Sequence, residues 1–172
     1  MPRSLADGRT KFTILTEAPA DPANPTASEL NDGIDASCSI LASDFQWSAT
    51  DSDTVAEKAL CVENNANALG PSNYQVGLTP FRYFDEQGEP DVSGEDETFQ
   101  VLKEKGTTLW GYARKTAKRA TEDWADGDEI YLGGEFITDT PQQPSDLGGY
   151  IKYRVPGQMQ QAWPFIEVGA GS

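Results

Sequence analysis

The sequence predicts a β-rich domain, and three observations predict it. Stretches such as DFQWSAT (44–50), TTLWGYARKT (107–116) and EIYLGGEFIT (129–138) read as strands, the first two alternating from residue to residue. Sixteen Gly and eleven Pro are spread rather than clustered, which favours many turns and few long helices. Only one stretch carries a full set of helix signals. At 172 residues the chain fits one domain, long enough to bury a core without disulfide or metal staples.

Residues 1–10 read as a polar N-terminal arm, and RTKFTILT (9–16) as the first strand. EAPADPANP (17–25) holds three Pro in nine residues and must be an extended connection. Thr26 and Glu29 have capping-box spacing, so a helix of one or two turns is expected over 27–32, with Gly33 as its C-cap. From Ser37 the texture turns to β, with Phe45, Trp47 and Ala49 on one face. A strand is expected over 54–62, Asn-rich turn chemistry over 63–73, and a long strand over 74–84 interrupted at Pro80. The whole segment 48–73 is polar and long.

DEQGEPDVSGEDE (85–97) carries seven acids and no base and reads as a solvated loop. It leads into the one convincing helix, about 96–105. Acids lie at its start, Lys103 and Lys105 in its last turn, and Gly106 follows, all in accord with the macrodipole. Residues 113–125 suit strand or helix, and a strand to about Lys118 with a turn at 126–128 is preferred. Strands are then expected at 129–138 and at GYIKYRV (149–155), with a short last one at QAWPFIEV (161–168) before a C-terminal arm, 163–172. In this region Ile130, Leu132 and Phe136 should face a core, leaving Tyr131, Glu135, Lys152 and Arg154 on surfaces.

Twenty-eight acids against thirteen bases give a net charge of −15, which argues against tight binding to nucleic acid. No apolar run is long enough for a membrane helix and the N-terminus has no apolar signal core, so a soluble chain made in the cytoplasm is expected. Cys38 and Cys61 are then expected as buried free thiols. With no His, the Ser-His-Asp and Cys-His arrangements and the usual zinc sites have no ligands to draw on. Paired carboxylates remain, yet among 28 acids nothing singles out one pair. No catalytic residue, cofactor or metal is expected. Gly133-Gly134 and Gly148-Gly149 match no phosphate loop and read as bulges or bends.

Arg114, Lys115, Lys118 and Arg119 form the one dense basic cluster. It reads either as a solvated strand end or as a contact for an acidic surface on another copy. Trp47, Trp110 and Trp124 are better core or interface anchors than a sugar platform.

The stretches ILASDFQWSATDSDTVAEKALC (40–61), TTLWGYARKTA (107–117), WADGDEIYLGGEF (124–136) and DTPQQPSDLGGYIKYRVP (139–156), in this order, carry a resemblance. The chain resembles the major tail proteins of long, non-contractile-tailed bacteriophages, especially those infecting actinobacteria. The resemblance implies a mainly β fold: a β-sandwich or partly closed barrel of two packed antiparallel sheets with one helix on its side and extended arms and loops. It implies a non-enzymatic virion protein assembled in the host cytoplasm. Hexameric rings would stack into a tail tube around a tape-measure protein, joined by tail terminator and distal tail proteins. Genomic DNA would pass the lumen without specific binding, and no membrane is involved. The arm at 2–12, segment 48–73, the loop 138–149 and the C-terminal run Trp163 to Val168 become candidate contacts between subunits. The candidate residues are Arg114, Lys115, Lys118, Arg119, Trp124, Pro141, Gln142, Gln143, Pro144, Trp163 and Phe165. Rival readings are a tail terminator or connector ring, which would not polymerise, and a carbohydrate-binding β-sandwich, which would show Trp-dependent glycan binding.

Overall fold

The computed structural model describes residues 2–64 and 67–170. Asn65 and Ala66, in the expected Asn-rich turn, lie outside the described residues, as do Met1, Gly171 and Ser172 of the two arms. Seven strands form one antiparallel sheet in the order β2-β1-β7-β8-β9-β6-β3: β1 Thr10–Leu15, β2 Ile34–Asp35, β3 Gln46–Thr50, β6 Asn73–Leu78, β7 Thr108–Lys115, β8 Glu129–Thr138 and β9 Val155–Glu167. A separate two-residue pair, β4 Thr54–Val55 with β5 Ala68–Leu69, lies in the long polar segment.

The sheet folds over on itself because β9 changes partners. Along most of its length β9 pairs with β8, but Val155 to Gly157 also pair with β6. A register shift opposite Glu135 and Phe136 leaves Gln160 without a facing residue and bends the strand there. The two arms of the bend are layers of a sandwich. Trp47 on the terminal strand β3 donates its indole N–H to the Leu132 carbonyl on β8, at 2.8 Å. Its ring meets Phe12 and Phe136 edge-on, with centroids 4.9 and 5.3 Å away. β2 and β3, the ends of the order, are not paired with each other, so the sheet is a sandwich and not a closed barrel. Gly111 permits this crossing: a Cβ there would lie 2.7 Å from the Trp47 ring and 2.8 Å from Phe12.

The main core gathers Phe12, Ile14, Trp47, Leu78, Leu102, Leu109, Leu132 and Phe136. The opposite face of β7 is also covered. Tyr112 packs there with Leu15, Leu30, Trp124, Ile130 and Val168, under the short helix that carries Leu30 and the loop 116–128. α1, Ala27–Asn31, has the expected reciprocal capping box between Thr26 and Glu29 and turns Leu30 inward. α2, Glu97–Leu102, buries Thr98, Phe99 and Leu102.

Several expectations are corrected. α2 is shorter than 96–105, because the Asp96 carboxylate turns away from capping toward Arg82 and Lys103 ends the helix. Of the strand expected at 54–62 only Thr54 and Val55 pair among the described residues, since AEKALCVE has no period of two. β6 ends at Leu78, after which Pro80 and Phe81 make isolated bridges. β7 stops at Lys115 instead of Lys118. GYIKYRV forms bridges rather than a strand, whereas β9 runs for 13 residues through Pro156, Gly157 and Pro164, residues that read as breakers. Residues 163–167 therefore belong to the sheet, and Val168 and Gly169 are tied by hydrogen bonds to Asp128 and Pro25. Cys38 and Cys61 are free but exposed, one in a turn after β2 and the other in the loop after β4.

Candidate subunit-contact surfaces

The basic cluster divides by burial. Arg114 is 0% exposed. Its guanidinium donates to Asp128 Oδ2 at 3.0 Å and to the carbonyls of Asp123, Arg119 and Glu122 at 3.1, 2.9 and 2.9 Å. It also lies 5.2 Å from the Trp124 ring centre. Arg114 thus folds the loop 116–128 from within and presents nothing to a neighbour. Trp124 is interior too, its indole N–H donating to Thr13 Oγ1. Lys118 pairs with the other Asp128 oxygen.

Lys115 and Arg119 are exposed and line a cleft of about 620 Å³ whose walls include Phe12, Ile40 and Phe45 and the arm residues Ala6 to Gly8. Among the described residues neither side chain has an ion-pair partner. The structure therefore brings these two cations together with the arm and leaves Arg114 and Trp124 in the core.

The other candidates lie apart from them. Gln142 exchanges two backbone hydrogen bonds with Arg154, at 2.7 and 2.9 Å, which pins Pro141 to Pro144 to the body. Gln142 and Gln143 are exposed, and beyond them Leu147 and Tyr150 project into solvent. Trp163 is half-buried on β9, and Phe165 is 67% exposed with its ring on Tyr131. In the segment 48–73, Val55, Leu60 and Leu69 are exposed.

One structural pair was not legible in the sequence. Asp96 lies inside the acidic run expected to be solvated, yet its side chain is 0% exposed. It accepts from Arg82, the Tyr83 N–H and Gln100, while the Arg82 guanidinium sits 4.0 Å from the Phe99 ring centre. This pair anchors the loop 83–95 to α2. Burial pushes the Asp96 carboxyl up, but the hydrogen bonds from Arg82, Tyr83 and Gln100 and the Arg82 charge outweigh it and hold it below its ordinary value. Asp128 is treated alike, with burial opposed by Lys118, the Ala125 N–H and Arg114. For Asp35, burial is opposed by Ser37 and Lys11.

A carboxyl whose pKa falls on folding stabilises the fold above its unfolded pKa of about 3.9, and that contribution fades as pH drops through the folded value. Asp96→Asn is therefore expected to cost about 1.5–3 kcal/mol at pH 7 by weakening hydrogen bonds to a charged group. The gap to the unaltered chain should close as urea unfolding is repeated below about pH 4. A gap independent of pH would show that the carboxylate charge contributes nothing.

Among the described residues no three His, Cys, Asp or Glu gather as a metal site, and no helix is long and apolar enough to cross a membrane. In comparison with known proteins, a family model described as phage tail tube protein matches residues 1–169. No curated protein and no solved structure matches the chain.

Proposed function

The chain belongs to the phage tail tube protein family, and from that premise we propose that six copies close into a ring and that rings stack into a hollow tube. It is a structural component of the tail. The observation that carries the reading is the extent of the match, which takes in both sandwich layers and both long loops. In this reading the tube is assembled in the host cytoplasm around a tape-measure protein, with terminator and distal tail proteins at its ends. The lumen then conducts the genome into the host.

Charge supports the same reading. Six subunits at −15 each carry about −90, and a wall of that sign lets a polyphosphate slide without adhering. Exposed apolar side chains support it as well: Leu5 on the arm, Leu60 and Leu69 in the segment 48–73, and Leu147 and Tyr150 in the loop after β8. Each would leave water wherever a neighbouring copy covered it.

Negative-stain microscopy of the purified chain, alone and with tail initiators, tests the proposal. Rings and tubes are expected. Monomers at every concentration would refute it, and single rings that never extend would favour a terminator.

Lys115 and Arg119 give a sharper test. Reversing both, Lys115→Glu with Arg119→Glu, should abolish assembly while the far-UV spectrum and unfolding midpoint of the monomer stay unchanged within about 0.5 kcal/mol. Normal tubes from the reversed variant would remove these two residues from the contact.

A further inference from the structure

The acidic segment 85–97 has a fixed shape, and its aspartates supply it. Asp85 Oδ1 accepts from the N–H groups of Gln87 and Glu89 at 3.0 and 2.9 Å, while the Asp85 N–H donates to the Glu89 carbonyl at 2.8 Å. Phe84 bridges to Pro90 across this turn. The Asp91 carboxylate accepts from the Glu95 N–H at 3.0 Å, and the Asp91 N–H donates to the Tyr83 carbonyl. Asp96 is buried against Arg82. All three aspartates of the segment thus hold its backbone. Its four glutamates, Glu86, Glu89, Glu95 and Glu97, are exposed, and among the described residues none of them is ion-paired.

The counterpart of this surface is on the same chain, in the cleft lined by Lys115 and Arg119. Its apolar walls include Phe12, Ile40 and Phe45, and Cys38 borders it. Asp7 on the arm lines it as well, and Lys115 shares a second cleft with Glu129, but neither acid is ion-paired with Lys115 or Arg119. Among the described residues nothing from the segment 85–97 lines the cleft, so the two surfaces do not meet within one chain.

Two copies at −15 repel one another wherever acid meets acid, so a contact between them needs a place where opposite charges face each other. Cleft against cleft would set cations on cations, and segment against segment would set acids on acids. Segment against cleft brings opposite signs together. It also joins two different patches, which makes the contact head-to-tail, the kind that closes a ring or extends a stack. The segment is already held by its own hydrogen bonds and loses little freedom on docking. Its exposed Phe84 and Val92 match the apolar walls of the cleft.

We propose that the acidic segment 85–97 of one copy docks in the Lys115 and Arg119 cleft of the next, an inference that rests on the tail-tube reading above. Glu86→Lys with Glu89→Lys should lower the sedimentable tube fraction by about tenfold or more, because cations then face cations at every contact. The monomer's spectrum should stay unchanged, since both side chains are exposed. Adding Lys115→Glu and Arg119→Glu to that variant should restore tubes, although either pair alone blocks them. Cross-linking reads the same contact directly. Subunits carrying Cys61→Ser, whose one thiol is Cys38, are mixed with subunits carrying Cys38→Ser, Cys61→Ser and Gln87→Cys. A short bifunctional maleimide should join the two kinds in tubes and leave them separate when dispersed. Normal tubes from the Glu86 and Glu89 variant, no rescue in the four-fold variant, or tubes without the mixed dimer each overturn this pairing alone, since the unaltered chain still assembles. An unaltered chain that forms neither ring nor tube overturns both readings.

Discussion

Arg114→Ala is expected to cost about 3–5 kcal/mol of subunit stability, the loss typical of removing one partner from a buried ion pair. Single domains are stable by about 5–15 kcal/mol, so the variant should be largely unfolded or close to it. The substitution leaves Asp128 with Lys118 as its remaining cation and strips donors from three carbonyls of the loop 116–128. Arg114→Lys should rescue little. A single ammonium cannot reproduce a planar fork that reaches Asp128 and the carbonyls of Arg119, Glu122 and Asp123 together. Urea unfolding of the monomer reads the effect. A wild-type midpoint combined with failure to assemble would return Arg114 to the subunit interface where its sequence neighbours Lys115 and Arg119 are placed.

Arg114 also marks a boundary of what could be read from residues in order. ARKTAKR presents four cations within six positions, and nothing local says that the first is enclosed by a loop closing through Asp128, 14 residues later. Asp96 is the same case, an acid hidden among six solvated ones and identifiable only by an arginine 14 residues before it. Long-range pairs of this kind have no sequence period.

Features set by neighbouring residues were legible. Thr26 and Glu29 announce the cap of α1. The alternation of Leu109, Gly111 and Ala113 against Trp110 and Tyr112 separates the two faces of β7. β8 begins and ends where its sequence suggests. β9 was legible only in its second half, as the short strand expected at 161–168, because Pro156, Gly157 and a shift in register erase the pattern of a strand whose first half only its partners β8 and β6 define. The contact candidates follow the same division: the exposure of Gln142 and Gln143 agrees with the polar loop they sit in, whereas the separation of exposed Lys115 and Arg119 from buried Arg114 depends on how the loop 116–128 closes.

Trp47→Ala is expected to cost about 3–5 kcal/mol, in the range for deleting a buried aromatic side chain, with loss of the near-UV signal of a fixed indole. The position of Trp47 explains the size of the effect. β3 is the last strand of the sheet order, held in the ladder by β6 alone, and the indole is its reach across the core to Phe12, Phe136 and Leu132. Trp47→Phe keeps a ring there but leaves the Leu132 carbonyl without its donor, a loss of about 1–3 kcal/mol. Gly111→Ala alone should also destabilise, by about 1–3 kcal/mol, because its Cβ would meet both rings. The two changes are not independent. The atom nearest that Cβ is the far tip of the indole, Cη2, which phenylalanine lacks. The double variant Gly111→Ala with Trp47→Phe should therefore lose less than the sum of the single losses, by more than the roughly 0.5 kcal/mol within which separate sites add. Strict additivity in urea unfolding would mean that the tip of Trp47 is not what keeps residue 111 a glycine.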